Sequence, residues 1–357
     1  MSAGATDLFL ALTPERVLAA VEAGGLRTRP LAYPLNSFEN RVYEVELEDR
    51  SRVIAKFYRP GRWSAAQIEE EHAFLADLQA EELPVVTARQ FPDGGTLRET
   101  EGILYALFDR RGGRAPDELD RETLRRLGRL IARLHTVGAR RAAPQRMELT
   151  SEAYARRDLD WLEDRAVVPE PLRERYALAA LAICDAYDER VTAVPFQRLH
   201  GDLHLGNMLL RDDALLLVDF DDMMNGPPVQ DLWLAAAGRD RAALDDREAL
   251  LSGYEEMRDF DRSTLGLIEP LRGLRLIHYA AWLARRWHDP IFPRAFPHFG
   301  TEEYWREETE ALEQQVVAIA HGWGAEDGSR HARAAEDAPS EAGDELSNKD
   351  FFWDWEG

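Results

Sequence analysis

Between His200 and Asp222 the chain reads HGDLHLGNMLLRDDALLLVDFDD, and no other run limits the possible fold as strongly. Two short apolar stretches flank a polar turn at Arg211-Asp212-Asp213, which is the pattern of a β-hairpin, with Asp212 and Asp213 as turn formers. The segment from His200 to Asn207 is too rich in glycine for a stable helix, so it reads as a loop. Asp202 and Asn207 can converge from that loop, and the hairpin returns the chain to deliver Asp219 at its far end. Acids gathered beside two buried strands are costly unless a cation neutralises them.

That set of groups points to a chemistry. One carboxylate as base, one neutral amide oxygen and a second carboxylate on a rigid strand are what phosphoryl transfer with Mg2+ requires. Asp202 is expected to orient an acceptor hydroxyl and take its proton, with Asn207 and Asp219 as the metal ligands that offset charge on nucleotide phosphates. A zinc site is a weaker reading, because His200 and His204 have no neighbouring cysteine or third histidine; both are read as supports of the loop. Ser37 lacks a surrounding G-x-S-x-G, and no Ser/His/Asp set stands out.

Upstream, Thr13-Pro14-Glu15 opens a short helix closed by Gly24-Gly25. In RVYEVELEDRSRVIAKFYRP, Tyr43, Val45 and Leu47 alternate with Glu44 and Glu46, and the second strand of the hairpin carries Val53, Ala55 and Phe57 on one face. Lys56 then points to the other face, beside Ile54 and Tyr58. Ser64 and Gln67 form a capping box for a helix whose inward stripe is Ile68, Phe74, Leu75 and Leu78. Glu71 lies on that stripe, whereas Glu69 and Glu70 fall nearer the wet side. Lys56, paired to Glu71, is expected to hold the phosphates from the side opposite Asp202. Further strands are expected at VVTARQF and GILYALF, followed by the glycine-rich DRRGGR at 109–114, beyond which the periodicity is mostly helical.

The expected fold class is therefore α+β, with two lobes: a nucleotide-binding N-lobe at 1–108, mainly β with one key helix, and a helical catalytic and substrate-binding C-lobe at 109–324. The remainder, 325–357, has a net charge of −7 and is expected to be a disordered acidic tail ending in the aromatic DFFWDWEG. The whole chain of 357 residues carries a formal charge of −22, which argues against duplex nucleic acid or an anionic membrane as partner. Its single cysteine, Cys184, sits in a helical apolar pattern and reads as a buried thiol. No window reaches the 18 or so apolar residues of a membrane span, and the N-terminus lacks a leader pattern. A monomer in the cytoplasm is expected.

His200-Gly201-Asp202 through Asn207, followed by VDFDD, resembles the H-x-D-x-x-x-x-N and D-F-G-like signatures of kinases with the aminoglycoside phosphotransferase fold. A closer likeness, to bacterial stress response protein kinases, runs over nearly all of 7–320 through LNSFENRVYEVE, KFYRPGRWSAAQIEEEH and NGPPVQDLW. The resemblance implies a protein-kinase-like fold, ATP and Mg2+ as cofactors, and phosphorylation of serine or threonine in proteins during stress. By motif it makes Asp202 the proton acceptor, Asn207 and Asp219 the metal ligands, Ser37 the nucleotide-loop serine and Lys56 with Glu71 the lobe-bridging pair. Asp231 in VQDLW resembles the aspartate that braces the catalytic loop. Two departures stand out: there is no G-x-G-x-x-G, so phosphate cover falls to NSFEN, and Asp221 replaces the glycine of D-F-G, which counts against a mobile activation segment. The alternatives are a small-molecule kinase of the aminoglycoside, choline or homoserine type and a nucleotide-binding module without transferase activity; an acidic cleft would suit a cationic acceptor and also a basic peptide, so charge does not separate the first of these from a protein kinase.

Overall fold

The structure is a computed structural model, and it describes residues 8–35, 37–211 and 214–322. The acidic tail and the Asp212-Asp213 turn lie outside the described residues. Helix α1 (Pro14–Ala23) starts from a Thr13 cap with proline at its first position and ends at Gly24. Strands β1 (Thr28–Leu35), β2 (Arg41–Leu47) and β3 (Arg52–Phe57) follow, with the β2–β3 turn where the polar run places it. Helix α2 (Ala65–Ala80) carries the full capping box between Ser64 and Gln67. Strands β4 (Arg98–Thr100) and β5 (Ile103–Asp109) complete an antiparallel sheet in the order β1-β2-β3-β5-β4. Val45, Val53, Ala55, Phe57 and Tyr105 bury one sheet face under α1. On the other face Lys56 and Ile54 look toward α2 and the second lobe.

The expected strand at VVTARQF does not form. Val85 and Ala88 make only isolated bridges, to Leu217 and Phe108 respectively. Val85 bridges to the second lobe and Ala88 to the sheet, so the segment's pairings point to different neighbours and no ladder extends.

The helical lobe comprises α3 (Arg121–Gly138), α4 (Arg157–Asp164), α5 (Glu170–Val191), α6 (Val229–Ala235), α7 (Arg241–Glu255), α8 (Ile268–Arg286), α9 (Ile291–Ala295) and α10 (Glu302–His321). Its apolar core reaches from Phe74 on α2 to Ile319 on α10 and includes Cys184, whose thiol burial pushes up to about 12. Helices α3 and α7 cross backbone to backbone: a Cβ on Gly128 would sit 2.0 Å from the Leu250 carbonyl, and one on Gly253 2.0 Å from that of Arg125. Two short ribbons are set into this lobe. Strand β6 (Gln197–Leu199) pairs with β9 (Met224–Gly226), and β7 (Met208–Arg211) pairs with β8 (Ala214–Leu217). The chain thus enters the 200–207 loop and leaves the 218–223 loop on neighbouring strands, which brings the two loops side by side.

Where α2 faces the sheet, His72 is buried between the Tyr58 hydroxyl at 3.0 Å and the Thr96 hydroxyl at 2.9 Å. Burial, reinforced by the Lys56 charge, lowers its imidazole to about 3. The unfolded chain takes up this proton near pH 6.5 and the folded one does not, so the stabilisation is complete above pH 6.5 and is lost as pH falls from there toward 3. Wild-type protein should lose up to about 1.4 kcal/mol per pH unit over that window from this residue, and His72→Gln should flatten the denaturation profile by that slope. Parallel profiles for the two proteins would refute the assignment.

Candidate active site

A cavity of about 1340 Å³ opens between the lobes, walled by Val42, Ile54 and Lys56 from the sheet and by Asp202, Asn207 and Asp219 from the second lobe. All six residues that the sequence nominated, Ser37, Lys56, Glu71, Asp202, Asn207 and Asp219, line it.

The 200–207 loop is braced from beneath. Asp231, fully buried on α6, accepts the backbone N–H groups of His200 at 3.0 Å and Gly201 at 2.9 Å. It also faces His135 Nε2 at 3.1 Å, while Nδ1 of that ring meets the Tyr254 hydroxyl at 3.0 Å. Burial lowers the His135 imidazole, so the neutral ring donates from Nε2 to Asp231 and accepts at Nδ1. Gly201 has a positive φ of 87°, and a Cβ there would lie 2.2 Å from the Asp222 carbonyl. Glycine is therefore required on two counts, backbone conformation and close approach of the loops. His200 is buried; its Nε2 donates to the Val218 carbonyl at 2.9 Å and its Nδ1 accepts the Asp202 N–H at 3.3 Å. Both histidines serve the loop as expected: His204 Nδ1 accepts the Gly206 N–H at 3.0 Å.

Asn207 donates from its amide nitrogen to the Asp202 carbonyl at 2.8 Å, and its own carbonyl accepts Val218 N–H at 3.0 Å. This ladder ties the two loops together. With the nitrogen committed, the side-chain oxygen is the atom left to coordinate. Asp219 adopts a left-handed conformation, φ 58° and ψ 67°, which a short polar side chain tolerates at roughly 1–2 kcal/mol. That geometry leaves the carboxylate 52 % exposed to the cavity, with Lys56 Nζ at 2.9 Å. Among the described residues no cluster of three or more His, Cys, Asp or Glu is placed to hold an ion unaided. A magnesium ion suits such a sparse set, since it takes one or two protein carboxylates and fills its octahedron with phosphate oxygens and water.

Lys56 is nearly buried, and its ammonium is shared among Asp219 at 2.9 Å, Asp221 at 3.2 Å and Glu71 at 4.0 Å. The expected Lys56–Glu71 pair is thus the longest of the three. Desolvation pulls the ammonium down, but the three carboxylates outweigh it and hold it well above its ordinary range. Burial pushes the Glu71 carboxyl up to about 7 against the pull of Lys56. The cause of the redistribution is Asp221. It adds a buried acid under the lysine, clamped by Arg62, by Asn40 Nδ2 at 3.2 Å and through its carbonyl by Arg146. Ser37 Oγ accepts the Asn40 N–H at 3.3 Å, and Arg59 holds the carbonyls of Glu39 and Phe38 at 2.9 and 3.0 Å, so residues 37–40 form a fastened turn.

Sequence reading missed the arginines. Arg275 on α8 pairs with Asp202 Oδ1 at 2.8 Å. Burial favours the neutral acid, but Arg275 and then His204 overcome it and hold Asp202 ionised well below the usual carboxylate range. Arg62 joins Asp222 at 2.5 Å as well as Asp221. Arg286 and the Trp282 indole, the latter at 2.7 Å, both reach Glu39. Where α8 faces the cavity, Glu39, Asp202 and Asp222 therefore each have a guanidinium in contact. The single available hint was an arginine inside the apolar run RGLRLIHYAAW; spacing could not say which acid it meets.

A two-lobed kinase-like fold enclosing a lysine, an aspartate, an asparagine and a second aspartate in this order defines a phosphotransferase. The chain belongs to the phosphotransferase enzyme family, whose profile matches residues 33–266. Within that family it is similar to Stress response kinase A of Salmonella paratyphi A, 40% identical over 312 residues that cover 87% of this chain and 94% of the relative. A protein of Salmonella typhimurium named Serine/threonine protein kinase RdoA matches with the same identity and coverage, 40%, 87% and 94%. Among solved structures, the amicoumacin kinase hAmiN in complex with AMP-PNP, Ca2+ and Ami superimposes with a TM-score of 0.67 over 85% of this chain and 92% of that one at 18% identity.

Proposed function

We propose that the protein is an ATP- and Mg2+-dependent serine/threonine kinase acting on protein hydroxyls in the cytoplasm, of the stress response kinase type. The observation that carries this reading is the meeting of Lys56, Asp202, Asn207 and Asp219 on one cavity, which joins a phosphate-holding cation to a base and a sparse metal set. The names of relatives that span nearly the whole chain favour a protein acceptor. The division of labour is part of the proposal, with 1–108 holding nucleotide and 109–324 supplying base, metal ligands and acceptor surface.

The residues would act as follows. Lys56 holds the nucleotide phosphates from the sheet side, and Ser37 with its fastened turn covers them. Asn207 Oδ1 and the Asp219 carboxylate would hold Mg2+, which when bound offsets charge on the phosphates. Asp202, kept ionised and fixed by Arg275, orients the acceptor hydroxyl toward the γ-phosphoryl group and receives its proton as the new O–P bond forms and the bond from the γ-phosphorus to the β,γ-bridging oxygen breaks, releasing ADP. A carboxylate held this acidic is a weak base before transfer, so its contribution lies mainly in alignment, for which roughly 7–11 kcal/mol is available in favourable cases. Asp219→Asn should weaken Mg2+–nucleotide binding at least about tenfold while leaving metal-free nucleotide binding close to wild type, because coordination and not the fold is altered. A titration with ATP analogue, with and without Mg2+, measures it; identical Mg2+ dependence in both proteins would remove Asp219 from the metal site.

A further inference from the structure

Helix α8 places four side chains on one face toward the cavity: Arg275, His278, Tyr279 and Trp282, at the i, i+3, i+4 and i+7 positions. One end of this stripe grips Asp202 through Arg275, and the other grips Glu39 of the nucleotide turn through the Trp282 indole. Between them lies an aromatic wall. His278 stacks on Tyr154 with centroids 4.3 Å apart and planes within 15°, and Tyr279 stacks on Trp282 at 5.5 Å and 14°. Phe296 closes the side, edge-on to Tyr279 and Trp282 at 6.3 Å from each.

From this we infer that α8 is the acceptor-docking surface, and that it takes an extended peptide whose serine or threonine is flanked by an aromatic or large apolar side chain and not by a basic one. The inference rests on the protein-kinase reading of the same site and names what that reading leaves open. Three observations support it. The distance from Arg275 to Trp282 along the helix is about 10 Å, the length of about three residues of extended chain, so a hydroxyl at Asp202 puts its near neighbours on the aromatic pairs. The indole N–H of Trp282 is already satisfied by Glu39, so this end of the wall has no indole donor left for a polar acceptor side chain, and the ring is itself packed by Tyr279 and by the Arg286 guanidinium. Finally, Asp202, Asp222, Glu39 and Asp158 on this side each contact an arginine, Arg275, Arg62, Arg286 and Arg285 respectively, with Arg62 shared with Asp221, so a lysine or arginine of the acceptor meets acids that are already paired. A cationic alcohol such as an amino sugar would meet the same balance.

The test uses the full chain with labelled ATP and Mg2+ and a set of peptides, each with one serine among alanines and with phenylalanine, alanine or arginine placed at the three positions on either side. Phenylalanine at one or more positions should raise kcat/KM at least tenfold over arginine at the same place, mostly through KM. Tyr279→Ala should collapse that ratio to within about threefold, whereas Tyr279→Phe should keep it; nucleotide titration shows that both variants are folded. Transfer to peptides with arginine preferred, or with a ratio that Tyr279→Ala leaves intact, overturns the docking surface and spares the protein-kinase reading. Transfer to no peptide while a small alcohol is phosphorylated overturns both.

Discussion

Asp202→Asn should lower phosphoryl transfer about 10²–10⁴-fold while ATP affinity stays within about threefold of wild type. The asymmetry follows from where the side chain sits. Its carboxylate faces Arg275 at 2.8 Å and His204 at 3.5 Å, on the second lobe, and contacts neither Lys56 nor the Ser37 turn. Asparagine preserves shape, and the loop is held by backbone bonds to Asp231 and His200 that the change does not touch. The lost charge removes both the proton acceptor and the anion that keeps Arg275 in place. Steady-state turnover beside an equilibrium nucleotide titration separates these effects. Turnover within a factor of a few of wild type would take the role of base away from Asp202, and a matching loss of ATP affinity would show that the loop had moved.

Asp231→Ala should be the most damaging single change to stability near the site, costing about 3–5 kcal/mol and lowering Tm by roughly 10 °C. Three donors converge on this carboxylate: the N–H groups of His200 and Gly201 and His135 Nε2. All lie in the interior, where water does not replace the lost acceptor. The catalytic loop would lose its brace, so activity should fall together with Tm. Asp231→Asn retains one acceptor oxygen and should recover part of both. A melting temperature within about 2 °C of wild type for the alanine variant would mean that the loop is held from elsewhere.

How much of this was legible in the sequence depends on how local the cause is. The Ser64–Gln67 box, the β2–β3 hairpin and the inward position of Glu71 follow from spacings of two to four residues, and all appear in the fold. Asp202, Asn207 and Asp219 share a short run whose loop and hairpin are locally encoded, so their convergence was readable too. The arginines were not. Arg62 meets Asp221 across 159 positions, and the sequence holds nothing that selects it among its many neighbours of like charge. Arg275 reaches Asp202 because α8 is packed by its apolar face, which fixes where the polar residues of the other face must point. The failed strand at VVTARQF has the same origin: its composition favours extended backbone, but the presence of a ladder depends on neighbours from Phe108 and Leu217.

Asp221 is the most instructive departure from the protein-kinase pattern. A glycine there gives a D-F-G segment freedom to swing, whereas here the side chain is buried, touches Lys56 and is clamped by Arg62 and Asn40. The same arginine network continues through Glu39, Arg59 and Asp289, which lie on both lobes. The segment after Asp219 is thereby tied into the contact between the lobes.

The most direct measurement is mass spectrometry of the purified protein, alone and with casein, after incubation with ATP and Mg2+, run beside Asp202→Asn. Phosphoserine or phosphothreonine is expected in the wild-type reaction, dependent on Mg2+ and all but absent in the variant. Equal phosphorylation by the two proteins, or none from a wild type that binds ATP normally, would contradict the proposed activity.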